Sequence, residues 1–263
     1  MSSRIKKVFS KKEKKLVAFV TGGDPNLKGS KKIVKSIVDS GVDIIEIGMP
    51  FSDPMADGPT IQLSSNRAIK KNIGLSEIFS ICFDLRKHNQ NIPIILMGYY
   101  NLILHYGVKT FVNDCKKNGV DGLIIVDLQP EEDQELSMYL NKSNIDLIRL
   151  ITPTTDKKRL STILKNSSGF LYYVTITGIT GQKSANIKEL KKSIYETKKV
   201  TKLPIVSGFG IKNEKQVKDI CEFSDGVVVG SAIVKIIEKN GNNIHKTINA
   251  ISSFIKKLKK GTL

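Results

Sequence analysis

Cysteine and histidine are both scarce in this 263-residue chain, three of each, and neither set is grouped. Cys82, Cys115 and Cys221 are odd in number and far apart, each in a helix-period pattern beside apolar residues. That excludes a disulfide framework and a thiolate metal site, and reads as core thiols in a reducing compartment. His88, His105 and His245 have no pair at metal-ligand spacing, so no metal is expected. Long apolar runs are missing too. The longest stretch without Lys, Arg, Asp or Glu, Asn89 to Val108, contains Pro93, Gly98, Asn101 and His105 and reads as a buried strand plus loop, not a membrane span. The first apolar stretch, Leu16 to Val20, is too short for a signal-peptide core, so a cytoplasmic location is expected. No linker interrupts the chain, and residues 1–263 are expected to form one domain.

Acidic residues are in deficit: 25 Asp and Glu against 42 Lys and Arg leave a net charge of +17. Such a surplus suits an anionic partner, a nucleic acid or a membrane surface. Its distribution argues against the last two, because the lysines come in pairs along successive helices, as at Lys31-Lys32, Lys116-Lys117 and Lys256-Lys257. No nucleic-acid motif accompanies them, and solvated helix faces account for them.

What the chain does contain is a repeating alternation. Short, mostly β-branched runs recur at Leu16 to Thr21, Asp43 to Gly48, Pro93 to Met97, Gly122 to Asp127, Asp146 to Ile151, Gly169 to Thr175, Pro204 to Ser207 and Gly226 to Gly230, as in strands buried on both faces. Amphipathic patterns separate them, such as Ile33, Val34, Ile37 and Val38. Glycines close several helices just before the next strand, as at Gly41 and Gly119. Eight such units at this length, with no G-x-G-x-x-G after the first strand, predict a single (β/α)₈ TIM barrel over an open doubly wound sheet. Extra short helices are predicted at the N-terminus (Arg4 to Phe9), after strand two (Pro59 to Lys70) and after strand eight (Ser231 to Glu238).

Barrel active sites lie at the C-terminal ends of the strands. The polar residues there are Thr21 and Asp24, Glu46 with Asp53 and Asp57, Asn101, Asp127, Thr175, Thr177 and Thr180, Ser207 and Ser231. Ile44, Glu46 and Gly48 share one face of strand two, so Glu46 points where a core residue is expected. Desolvation there would raise its pKa towards neutrality, as a general acid requires. A strand-end Glu satisfied by neighbours is the plain alternative. Asp57, in Asp-Gly-Pro, reads equally as a turn, but Ser52-Asp53-Pro54 and Glu46 nearby put two carboxylates on one rim. Ser207-Gly208-Phe209-Gly210 and Gly230-Ser231-Ala232 follow strands seven and eight, where glycines and a helix N-terminus make a phosphate cradle. Asp127 has the milder role of anchoring its loop, and Tyr172 and Tyr173 read as core. Thr177 to Ser184 has the composition of a closing lid or of an ordinary exposed loop.

The run Glu46-Ile47-Gly48-Met49-Pro50-Phe51-Ser52-Asp53-Pro54-Met55-Ala56-Asp57-Gly58-Pro59-Thr60 resembles the signature of the tryptophan synthase α-subunit family. Phe19 to Pro25, Met97-Gly98-Tyr99-Tyr100-Asn101, Gly178 to Gly181, Gly208 to Gly210 and Gly230 to Val234 occur in the family's order, and the resemblance covers nearly the whole chain.

The resemblance implies cofactor-free retro-aldol cleavage of indole-3-glycerol phosphate into indole and glyceraldehyde 3-phosphate. Glu46 matches the family's acid/base residue and Asp57 the carboxylate that meets the indole N–H. Phe19, Ile61, Met97, Ile124, Leu150 and Tyr172 match the indole pocket. Gly181, Gly208, Phe209, Gly210, Gly230 and Ser231 match the phosphate site, and Thr180 belongs to the lid. Asp53, Pro54, Asn101 and Asp127 fall on the surface the family uses for its β subunit, which implies an α₂β₂ complex with pyridoxal phosphate in the β subunit. Two positions depart from the family pattern: Ile176, where it has Arg, and Gln129, where it has Pro. The competing readings are another phosphosugar barrel, a non-catalytic activating subunit and a nucleic-acid binder. No lysine points inward at the end of a strand, as the first would need, and the intact Glu46 and Asp57 oppose the second.

Overall fold

The computed structural model describes residues 2–174, 183–208, 210–241 and 243–263. Among the described residues nine strands, all paired in parallel, form one sheet in the order β5-β4-β3-β2-β1-β9-β8-β7-β6. They are β1 (Lys15–Thr21), β2 (Ile44–Gly48), β3 (Ile94–Gly98), β4 (Gly122–Ile125), β5 (Asp146–Leu147), β6 (Arg149–Ile151), β7 (Leu171–Val174), β8 (Ile205–Gly208) and β9 (Gly226–Val229). The ninth strand reflects an interruption of the fifth. β5 bonds to β4 and β6 to β7, and the chain changes partner at Ile148, which is buried and still donates its N–H to Leu123 O at 2.9 Å. The two ends of the sheet thus meet in one stretch of chain, and the barrel of eight βα units closes there.

The β-branched runs become strands because both of their faces are buried. Leu16, Ala18, Val20, Ile45 and Ile47 point outward to the helices, while Val17, Phe19, Ile44, Ile95, Ile124 and Val206 fill the interior. Helix Ser3–Phe9 plugs the bottom with Ile5 fully buried. It is tied down where Ser2 N donates to Asp146 Oδ2 at 2.7 Å and Ser2 Oγ to Asp121 Oδ1 at 2.7 Å. Arg4 and Arg86 pair with the same Asp121 at 3.1 and 2.8 Å.

The other two extra helices are Pro59–Ile69 and Ser231–Asn240. The segment after β3 is not a loop, because helix Tyr100–Tyr106 follows it at once and Gly107, at φ +90°, separates that helix from Val108–Lys117. Its apolar side was hidden by the low charge of the stretch: Tyr106 packs on Phe79 and Phe111 at ring distances of 5.8 and 6.4 Å. Cys82, Cys115 and Cys221 are free and buried. Among the described residues no helix is long and apolar enough to cross a membrane.

Candidate active site

β2 delivers the central group. Glu46 lies in register between Phe19 of β1 and Ile95 of β3, both part of the barrel interior, and is 0% exposed. Neither carboxylate oxygen has a hydrogen-bond partner among the described residues. Burial alone pushes its pKa up to about 8, since no hydrogen bond among the described residues stabilises the anion. At neutral pH the group is therefore a neutral acid in an apolar chamber.

Asp57 comes from the loop between β2 and helix Pro59–Ile69 and is half-buried. Burial raises its pKa, and a hydrogen bond from the Tyr99 side chain works in the opposite direction. The Tyr99 hydroxyl also accepts the Ala56 N–H at 3.1 Å, and the Tyr99 ring stacks on Phe51 with centroids 5.1 Å apart. Tyr99 fixes the carboxylate-bearing loop and was missed as a site residue. Its only signal was its place in the Gly-Tyr-Tyr-Asn run directly after β3.

Tyr172 of β7 joins the two carboxylates. Its phenol is held protonated, first by burial and then by the fields of both Glu46 and Asp57. All six apolar pocket residues share one interior cluster: Phe19 and Ile124 are buried, while Ile61, Met97, Leu150 and Tyr172 pack against it at the open end. Gly208 ends β8 beneath the Tyr172 ring, so that a Cβ at that position would sit 2.9 Å from the Tyr172 hydroxyl and ring. A side chain there would have to displace the ring.

Gly210 follows, exposed, and Gly230 precedes helix Ser231–Asn240 as its N-cap, with Ser231 exposed in the first turn. Ile233 and Val234 donate their N–H groups back to Gly230 O, at 2.9 and 3.1 Å. The two earlier N–H groups lie ahead of that ladder, at an end that favours an anion. Gly181, Phe209, the lid residue Thr180 and the departure at Ile176 lie outside the described residues.

Other strand-end polar residues prove structural. Thr21 hydrogen-bonds Ser64 at 2.5 Å, Ser207 bonds Ser224 at 3.0 Å, and Asp24 accepts from Arg67 Nε and Nη2, each at 2.9 Å. Asp127 accepts the Tyr100 N–H at 2.8 Å, which is the anchoring role expected of it. Its loop, which includes exposed Gln129, is held from below by buried Arg149, which donates to Leu128 O at 2.8 Å and pairs with Asp133. Asp53, Asn101 and Asp127 are exposed on one rim beside Met55, which is 84% exposed, and Pro54 is buried beneath them. Among the described residues no group of three or more His, Cys, Asp or Glu could hold a metal ion.

A family model described as tryptophan synthase alpha chain matches residues 5–263. The tryptophan synthase alpha chain of Citrifermentans bemidjiense is 44% identical over 263 residues, covering 100% of this chain and 97% of its own. The crystal structure of tryptophan synthase subunit alpha from Legionella pneumophila superposes with a TM-score of 0.91 at 34% identity, covering 100% of this chain and 98% of that one. A chain of tryptophan synthase from M. tuberculosis, in an aminoacrylate-bound form, gives 0.88 at 27% identity with 100% of each chain covered.

Proposed function

The chain belongs to the tryptophan synthase alpha chain family, lyases that cleave indole-3-glycerol phosphate to indole and glyceraldehyde 3-phosphate, and on that premise we propose that Glu46 and Asp57 carry the reaction. The observation behind this reading is Glu46, fully buried in the barrel interior with neither carboxylate oxygen hydrogen-bonded among the described residues, and Asp57 close enough that both carboxylates act on the Tyr172 phenol.

Indole leaves poorly unless its ring carbon is protonated. Glu46 donates its proton to C3, and Asp57 accepts a hydrogen bond from the indole N–H and stabilises the cationic ring. The Glu46 carboxylate left behind then takes the proton of the glycerol hydroxyl. The O–H electrons form the aldehyde, the carbon–carbon bond breaks, and its electron pair neutralises the ring. Indole departs with the proton gained at C3, and Glu46 is again protonated.

In this proposal Phe19, Ile61, Met97, Ile124, Leu150 and Tyr172 surround the indole ring. The phosphate is held by Gly208, Gly210, Gly230 and Ser231, completed by Gly181 and Phe209, with Thr180 in the closing lid. The chain itself uses no cofactor. Its partner is a β subunit that holds pyridoxal phosphate, in an α₂β₂ complex docked over Asp53, Pro54, Asn101 and Asp127. The decisive experiment follows indole release from indole-3-glycerol phosphate. Asp57→Asn should lower kcat by about 100-fold or more while KM changes little, because its interaction strengthens only in the transition state. A loss confined to KM would make Asp57 a binding residue.

A further inference from the structure

We infer that Tyr99 is a positioning residue for the reaction, holding the β2 loop so that the Asp57 carboxylate faces the indole nitrogen. The inference rests on the role proposed for Asp57. Tyr99 is 2% exposed and sits between β3, the strand adjacent to β2, and helix Tyr100–Tyr106, which it N-caps. Its side chain grips that loop twice. The ring stacks on Phe51 at 5.1 Å, and the hydroxyl accepts the N–H of Ala56 at 3.1 Å, one residue before the carboxylate. Asp57 N also donates to Pro54 O at 3.0 Å, so the turn that presents the carboxylate is closed locally and tethered to the barrel through Tyr99.

A hydroxyl that accepts from Ala56 still has its own proton to give, and it is directed to Asp57, where it favours the anion that the indole N–H needs. Burial first, and then the field of Asp57, push the Tyr99 phenol up to about 12, so it remains a donor throughout the working range. Tyr99 thus acts on the orientation and the charge state of Asp57 together. A catalytic contact held about an ångström out of place can cost about 100-fold in rate.

The test is Tyr99→Phe, which keeps the ring on Phe51 and deletes the hydroxyl. The expected result is a kcat about 10- to 100-fold lower with KM nearly unchanged, and an acid limb of kcat/KM displaced to higher pH because Asp57 loses its donor. Phe51→Leu weakens the stacking but leaves the hydroxyl in place. It should lower thermal stability while the acid limb stays where it is. Wild-type kcat and an unmoved acid limb in Tyr99→Phe, or a loss confined to KM, would overturn the inference. Failure of the underlying reading looks different, because Asp57→Asn would then turn over normally whatever Tyr99→Phe does.

Discussion

Glu46 is favoured in its chamber as the neutral acid, and that preference ties stability, and under the proposed mechanism activity, to the same proton. Its folded pKa of about 8 lies above its unfolded value of 4.5, so between these limits the folded chain holds a proton that the unfolded chain has released. This group's contribution to stability therefore falls as pH rises through that window, by about 1.4 kcal/mol for each unit of displacement. Glu46→Gln removes the penalty. The variant should match the parent near pH 5 and melt at a higher temperature than the parent at pH 9, while indole release falls by about a thousandfold or more. Equal melting temperatures at both pH values would mean that Glu46 is not desolvated, and near-normal turnover would remove it from the mechanism. For the parent enzyme, kcat/KM should decline above about pH 8 as free Glu46 ionises.

Among the elements, the helices flanking the pocket are joined by an ion pair that sequence patterning did not indicate. Asp24, whose side chain is fully buried in the loop after β1, accepts from Nε and Nη2 of Arg67 from helix Pro59–Ile69. Arg67 also reaches Glu238 of helix Ser231–Asn240 at 3.2 Å. The helix that follows Asp57 and the helix that begins at Ser231 are thereby fastened to one buried anchor. Arg67→Met should cost about 3 kcal/mol in urea unfolding, because it strands the Asp24 charge. Adding Asp24→Asn should recover part of that loss, since the stranded charge is then gone. A single variant as stable as the parent would show that the pair only breaks even against its desolvation.

For the whole molecule, the surplus of +17 is spread over exposed helix faces, whereas the rim around Met55 carries Asp53, Asn101 and Asp127. An exposed methionine amid polar loops suits a docking surface, and indole is small and apolar enough to escape unless handed directly to the next site. Mixing the chain with a tryptophan synthase β subunit should give a stable complex by sedimentation and raise indole production, because docking favours the closed, reactive arrangement. Association without a change in rate would leave the two sites uncoupled.

Local periodicity was enough to read the eightfold βα alternation, the buried strands and the three extra helices, because strand and helix periods and glycine stops are properties of neighbouring residues. Glu46 was legible for the same reason, as a charge at an inward position of an apolar strand. The split of the fifth strand at Ile148 was not, since it depends on which neighbour each half bonds to once the barrel closes. Nor was the helix Tyr100–Tyr106, whose stabilising contacts are rings from other elements. Tyr99, Arg67 and Arg149 owe their roles to partners 43, 43 and 16 residues away. The amino-acid sequence by itself determined the architecture and the inward position of Glu46 on its strand. Tertiary structure decided which side chains hold them in place and how far burial displaces their protons, because desolvation and long-range hydrogen bonds exist only when the barrel has closed.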